Sequence, residues 1–270
     1  MFKFIKRFLC GLFSKAAESP DNSPAKTSET PQQNTPIQET ACSVDSTIKR
    51  ESNAHRKEDH SAEAELALFL DKYLYDRFPT GSSFSSIRRV QNEQEQKMGV
   101  DVEFIGNDGR VYCVDEKAQL HYLNKNLPTF AFELLSYQKG YDTIGWLCNP
   151  KLKTDLFLLV WPFATTDDYQ GITWNQFTRA DCLLIQKQKV LRLLASKGLT
   201  VERLLSDARR IRLSGQKGKI PIPGIKGIYY YASYPRKYQE APINVVVSKA
   251  LLNEIAQRRY IVTTDSVVTE

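Results

Sequence analysis

Asp101, Asp115, Glu116 and Lys117 are the side chains whose types and spacing could act together in catalysis. Two acids on neighbouring strands repel each other unless positive charge lies between them, and a divalent cation with Lys117 beside it would supply that charge. All four lie in the stretch GVDVEFIGNDGRVYCVDEKAQ, residues 99 to 119. Its two runs, Val100 to Ile105 and Arg110 to Lys117, are rich in β-branched and aromatic residues and flank the turn signal Asn107-Asp108-Gly109, so the stretch reads as a β-hairpin.

The turn decides whether the acids meet. A three-residue loop with Gly109 in the left-handed conformation pairs Gly106 with Arg110 and therefore Asp101 with Asp115. Glu103 and Lys117 then share the acids' face, and Val102, Phe104, Tyr112 and Val114 take the other. A two-residue loop would shift the register by one and separate the aspartates. The first pairing is preferred because Gly109 adopts a positive φ without steric cost.

An Asp at the end of a short strand, an Asp-x-Lys on the next and a helix expected after it resemble the PD-(D/E)xK nuclease superfamily, the restriction-endonuclease-like fold. Asp101 matches the first acid, Asp115 the second and Lys117 the lysine; Val100 stands where the name has proline, and Glu116 fills a middle position that is more often apolar. The resemblance spans about 100 residues, from the helix expected at 61 to a strand ending near 163. It implies an αβββαβ core with a mixed central sheet flanked by helices, and Mg²⁺- or Mn²⁺-dependent cleavage of phosphodiester bonds, with DNA favoured over RNA. By the same resemblance Asp101 and Asp115 would bind the cation and Lys117 would orient water or stabilise the transition state. Glu65 and Glu116 are further candidate ligands, and Glu133 and Gln119 further candidates beside the reacting groups.

The elements needed to position these residues are legible around the hairpin. Ser61 to Phe78 has apolar residues at 66, 69, 70, 73, 74 and 78, a helical period, with Ser61 as a candidate N-cap and Pro79 as a stop. On that helix Glu65 reads either as a solvated acid in the first turn or as the extra ligand. Ser82 to Val90 reads as a first strand and QNEQEQKM after it as a turn of helix or an ordered loop. Pro128 suits the first position of a helix, so Pro128 to Gln138 is expected to be the helix after the motif, carrying Glu133. Asp155 to Ala164 is continuously apolar enough to predict a doubly covered strand.

Four segments follow: a basic amphipathic helix at 1–15, a disordered linker at 16–60, a nuclease-like core at 61–178 and a basic C-terminal α/β extension or subdomain at 179–270. The linker's Ser, Thr, Pro, Gln and Asn leave it no packable apolar run. The first 15 residues are too short and charged to span a bilayer, but suit weak contact with an anionic membrane surface or a partner protein. Five cysteines, odd in number and without a CxxC pair, fit a reducing, cytoplasmic setting, peripheral to the membrane at most, better than a disulfide framework.

Charge divides the chain. From Arg179 onward, 17 Lys and Arg face 7 Asp and Glu, whereas residues 61 to 178 carry 11 against 16. An acidic motif beside a basic half suits a nucleic-acid substrate, and Arg209, Arg210, Arg212, Lys217 and Lys219 are the candidate phosphate contacts. The loop SGQKGK lacks the first glycine of a Walker A pattern, which excludes a nucleoside-triphosphate site. Gly227 to Tyr234 and Ile243 to Val247 read as strands and Ser248 to Arg259 as a helix, with at least one of Tyr229, Tyr230 and Tyr231 expected on the surface, where it could stack on a base. Two other readings stay open: an inactive nucleic-acid-binding or scaffold protein of the same fold, and an unrelated α/β interaction protein.

Overall fold

The computed structural model describes residues 61–78, 84–138, 141–233 and 241–270. The amphipathic segment 1–15, the linker 16–60 and Ser82–Ser83 of the expected first strand lie outside the described residues.

The chain has an α+β fold of two sheets. The first helix, α1, runs over 61–70 and continues as a π-helical turn, Asp71–Tyr75. Strand β1 (Phe84–Arg89), the short helix α2 (Glu93–Lys97) capped by Asn92, and the hairpin strands β2 (Val102–Gly106) and β3 (Val111–Ala118) follow in order. Strand β6 (Leu156–Ala164) lies parallel to β3; every other pairing in this sheet is antiparallel. Strands β7 (Phe177–Gln186), β11 (Arg258–Thr263) and β12 (Val267–Thr269) complete seven strands in the order β1-β2-β3-β6-β7-β11-β12.

Period-two burial forms these strands. Phe157, Leu159 and Trp161 of β6 enter one core, and Leu156, Leu158 and Val160 enter another on the opposite face. The expected doubly covered strand is therefore present. The second core is roofed by α1 through Leu66, Phe69, Leu70 and Leu74, which fixes the helix over β2 and β3.

The first core is closed by a five-stranded antiparallel sheet in the order β5-β4-β10-β9-β8. Its strands are β4 (Thr129–Gln138), β5 (Tyr141–Ile144), β8 (Gly218–Pro221), β9 (Ile228–Ala232) and β10 (Ile243–Ser248). Three helices supply residues to the same core: α3 (Lys187–Ser196), α4 (Val201–Ser214) and α5 (Lys249–Ile255). Strands of the basic C-terminal block thus extend both sheets.

Three sequence expectations are corrected. Pro128–Gln138 is not a helix: from Thr129 it is strand β4, because Phe130, Phe132 and Leu134 alternate with Ala131 and Glu133, and β10 and β5 satisfy its backbone on both sides. The helix expected over Ser248–Arg259 stops at Ile255, since Arg258 and Arg259 pair with Leu184 and Leu183 of β7; Ser248 does cap it, accepting from Leu251 N–H. None of the three tyrosines is exposed: Tyr230 enters the first core, while Tyr229 and Tyr231 pack with Leu127, Ala131 and Val246 on the other face of their sheet.

Candidate metal and phosphate site

The hairpin adopts the register that brings the aspartates together. Gly106 N–H donates to Arg110 O at 2.8 Å, Gly109 has φ +79°, and Val102 pairs with Val114 and Phe104 with Tyr112. Just before β2, Asp101 N–H donates to Val114 O at 2.9 Å, which sets its carboxylate beside the Asp115–Glu116 step of β3. Parallel pairing with β6 sets Asp115 beside Phe157 and Lys117 beside Leu159, so both side chains face the first core. Val102, Phe104 and Val114 face the second.

Lys117 Nζ makes an ion pair with Asp115 Oδ1, donates to Glu116 O at 3.1 Å and lies 5.5 Å from the Trp146 ring centre. Asp101 Oδ2 accepts from Glu116 N–H at 2.9 Å. The three functional side chains are nearly closed to solvent, with Asp101 2%, Asp115 1% and Lys117 1% exposed. Burial, then the neighbouring Asp115 carboxylate, pushes the Asp101 carboxyl well above its ordinary value, against the opposing pull of Lys117 and the Glu116 N–H.

One atom in this group is unsatisfied: Asp115 Oδ2 is buried and has no hydrogen-bond partner. The space near it is kept open by Gly99, whose φ is +77° and on which an added Cβ would lie 3.5 Å from Asp115 Oδ2 and 2.5 Å from Thr154 Oγ1. Thr154 Oγ1 donates to Gly99 O at 3.0 Å and holds that backbone in place. A buried anionic oxygen without a donor costs free energy that a cation would offset, so the donor set fits Mg²⁺ or Mn²⁺. No group of three or more His, Cys, Asp or Glu side chains suited to a metal occurs among the described residues, so the chain itself would supply two carboxylates.

The remaining candidates are distributed more widely. Glu116 points to the opposite face, fully buried, where Arg89 Nη1 donates to it at 2.8 Å and the Tyr75 hydroxyl also donates. Arg89 in turn donates from Nε to Asp71 at 2.7 Å, which ties β1 to the π-helical turn of α1. Gln119 continues from the motif strand; its Nε2 donates to Thr129 O at 2.8 Å and its Oε1 is buried without a partner. Glu65 lies on α1, which covers the face away from Asp115, and its Oε2 accepts from Trp174 N–H at 2.8 Å, so it stands apart from the aspartates. Glu133 pairs with Asn244 on β4 and by alternation shares the outer face of Ala131, away from the core face of Phe132.

The basic candidates lie on and beyond α4. Arg209 is exposed, Arg210 donates to Asp207 at 2.6 Å and Arg212 donates to Asp142 at 3.0 Å. Lys219 belongs to β8 and sits over the Tyr229 ring at 4.5 Å; Lys217 precedes it, half-buried. Asp207 also accepts from the Tyr230 hydroxyl at 2.8 Å, tying α4 to its sheet.

A residue that sequence reasoning missed is Lys187, 8% exposed at the start of α3. It directly follows β7 and shares by alternation the face of Leu183 and Ile185, the face of Asp115. Its Nζ reaches Asn149 O at 3.5 Å. Burial lowers its ammonium, opposed first by Asp115. Nothing in the local sequence KQKVLRLL marks it, because only the sheet brings it to the acids. Compared with protein-family models, curated proteins and solved structures, the chain matches none of them.

Proposed function

We propose that the protein is a metal-dependent nuclease of the PD-(D/E)xK type that hydrolyses phosphodiester bonds, DNA in preference to RNA. The observation that carries this reading is the burial of Asp101, Asp115 and Lys117 as close neighbours, with Asp115 Oδ2 left without a donor. The order helix, three antiparallel strands, crossover and a fourth strand parallel to the third supports this reading, although strands β4 and β5 stand where the core's second helix was expected.

In this reading Asp101 and Asp115 hold Mg²⁺ or Mn²⁺, which supplies Lewis acidity and lowers the pKa of a bound water. Lys117, set by Asp115 and the Glu116 carbonyl, stabilises the charge that builds on the phosphoryl oxygens. Glu116 acts through its backbone and not as a ligand. Buried walls of Trp146, Phe157 and Leu159 exclude water and strengthen these interactions. The basic surface of α4 retains the nucleic acid by its phosphates.

The test is cleavage of linear and supercoiled DNA with Mg²⁺ or Mn²⁺. Wild type should cut, whereas Lys117→Ala should bind DNA but not cut; equal cleavage by the two would overturn the assignment.

The near-complete burial of the three side chains favours a second reading, a nucleic-acid-binding protein of the same fold whose acids and lysine hold the sheet together. DNA binding by wild type with no cleavage under any divalent metal would decide for it.

A further inference from the structure

Away from the acids, the outer edge of the second sheet carries exposed apolar side chains that the nuclease reading does not use, beside basic groups on and after α4 that it does. Tyr137 near the end of β4 is 45% exposed, Ile144 at the end of β5 38%, and Leu213 near the end of α4 88%. Register places Tyr137 and Ile144 together: Tyr137 pairs with Asp142 and Leu135 with Ile144, and Leu135 faces the first core, so both look towards α4, on whose outer side Leu213 stands. Arg212 joins helix to strand, donating from Nε to Asp142 Oδ1 at 3.0 Å and lying 5.9 Å from the Tyr137 ring centre. Its Nη2 is buried and has no hydrogen-bond partner.

The cations here outnumber their partners. Asp142 is engaged by Arg212, Arg209 is exposed one turn before Leu213, and Lys217 sits close enough to Arg212 that burial and then the guanidinium lower its ammonium. An aromatic ring flanked by apolar side chains and surplus positive charge matches a strand of unpaired nucleotides, which offers a flat base to stack and phosphates to neutralise. Duplex DNA hides its base faces and would use only the charge.

We propose that Tyr137, Ile144 and Leu213, with Arg209, Arg212 and Lys217, form a docking surface for single-stranded nucleic acid. The proposal rests on the nuclease reading for its choice of ligand. It also sets a distance: β5 leads through Gly145 to Trp146 beside Lys117, and the five steps from Tyr141 to Trp146 span at most roughly 17 Å.

The experiment is fluorescence anisotropy of labelled oligo-dT and of a duplex of equal length, in EDTA, with the full-length chain. Tyr137→Ala should weaken oligo-dT binding by roughly 5- to 100-fold, Tyr137→Trp should restore it, and neither should alter duplex binding by as much. Arg209→Ala and Lys217→Ala should each lower the salt dependence of binding by about one phosphate contact. Tyr141→Ala serves as the control, since Tyr141 is 58% exposed and neighbours Asp142 in the strand, so that it points to the opposite face. Wild-type affinity in Tyr137→Ala, or an equal loss in Tyr141→Ala, would overturn the proposal. Binding is read without metal, so failure of the patch is distinct from failure of the nuclease reading. A wild type that cuts DNA while Tyr137→Ala binds normally refutes the patch alone. One that binds through Tyr137 and cuts nothing refutes the nuclease alone.

Discussion

Glu116 holds Asp101 through its backbone, with its N–H donating to Asp101 Oδ2 at 2.9 Å, while its side chain is anchored on the opposite face of the sheet by Arg89 and Tyr75. The same residue's carbonyl accepts from Lys117 Nζ at 3.1 Å. The height of both groups above the sheet therefore depends on the Glu116–Arg89 ion pair beneath it, and on the hydrogen bond from Tyr75 in the π-helical turn of α1. Burial, then the Glu116 carboxylate, holds the Tyr75 phenol protonated, so that it donates throughout the neutral range.

Removing Glu116 should be more damaging than neutralising it. Glu116→Ala takes from the largely enclosed Arg89 its fully buried carboxylate partner, and breaking one side of a buried pair is destabilising by about 3–5 kcal/mol. Glu116→Gln keeps acceptors for Arg89 and Tyr75 and should lose less. The double change Glu116→Leu with Arg89→Met should recover part of the stability, because the two buried charges leave together and only the partly exposed Asp71 and the Tyr75 hydroxyl lose a partner. Urea midpoints of the four chains check this; a Glu116→Ala midpoint equal to wild type would rule the strut out.

Asp101 makes folding stability fall as pH rises. Below the ordinary carboxyl value of 3.8 it is protonated in both folded and unfolded chains and contributes no pH dependence. Above that value the unfolded chain releases the proton and the folded chain keeps it, so stability declines until pH passes the raised folded pKa. Metal-free wild type should therefore lose stability upward from about pH 4 more steeply than Asp101→Asn. Lys187 acts in a separate, alkaline window. Its lowered ammonium penalises the fold while charged, so that contribution recovers as pH rises through its folded pKa towards 10.5, and Lys187→Met should remove it.

Gly99→Ala should cost stability twice over. Its φ of +77° is unfavourable for an L side chain by roughly 1–2 kcal/mol, and the new methyl would press on Thr154 Oγ1 at 2.5 Å. The same methyl intrudes on the space beside Asp115 Oδ2. Thermal melts should show the loss, and added Mn²⁺ should restore less of it than in wild type.

Most of this site was legible because it is local. Gly109 fixes the hairpin, the hairpin fixes the register, and the register brings Asp101 to Asp115; residues 99 to 119 carry the whole chain of cause. β4 was misread for a complementary reason: Pro128 is a helix-start signal, and the alternation of Phe130, Phe132 and Leu134 gains its meaning from β10, more than 100 residues away. Lys187 and the Arg89–Glu116 pair were invisible for the same cause, since pairing between distant strands and packing of α1 create them. Glu65 shows the converse: helical periodicity placed it correctly on α1, but the side of the sheet on which α1 packs is a tertiary fact.

Divalent metal should stabilise the protein through Asp115. Binding to the folded chain alone adds about 2.7 kcal/mol at a hundredfold excess over Kd, and proves reversible on chelation. Mn²⁺ should therefore raise the thermal midpoint of wild type, EDTA should return it, and Asp115→Asn should be nearly indifferent because Oδ2, the oxygen without a donor, no longer carries charge. Lys117→Met should respond to Mn²⁺ at least as strongly as wild type, since the lysine competes with the cation for Asp115. This separates holding the metal from cutting the strand: Asp115→Asn would lose both, Lys117→Met only the second. An Mn²⁺ shift that survives in Asp115→Asn would place the ion elsewhere in the molecule.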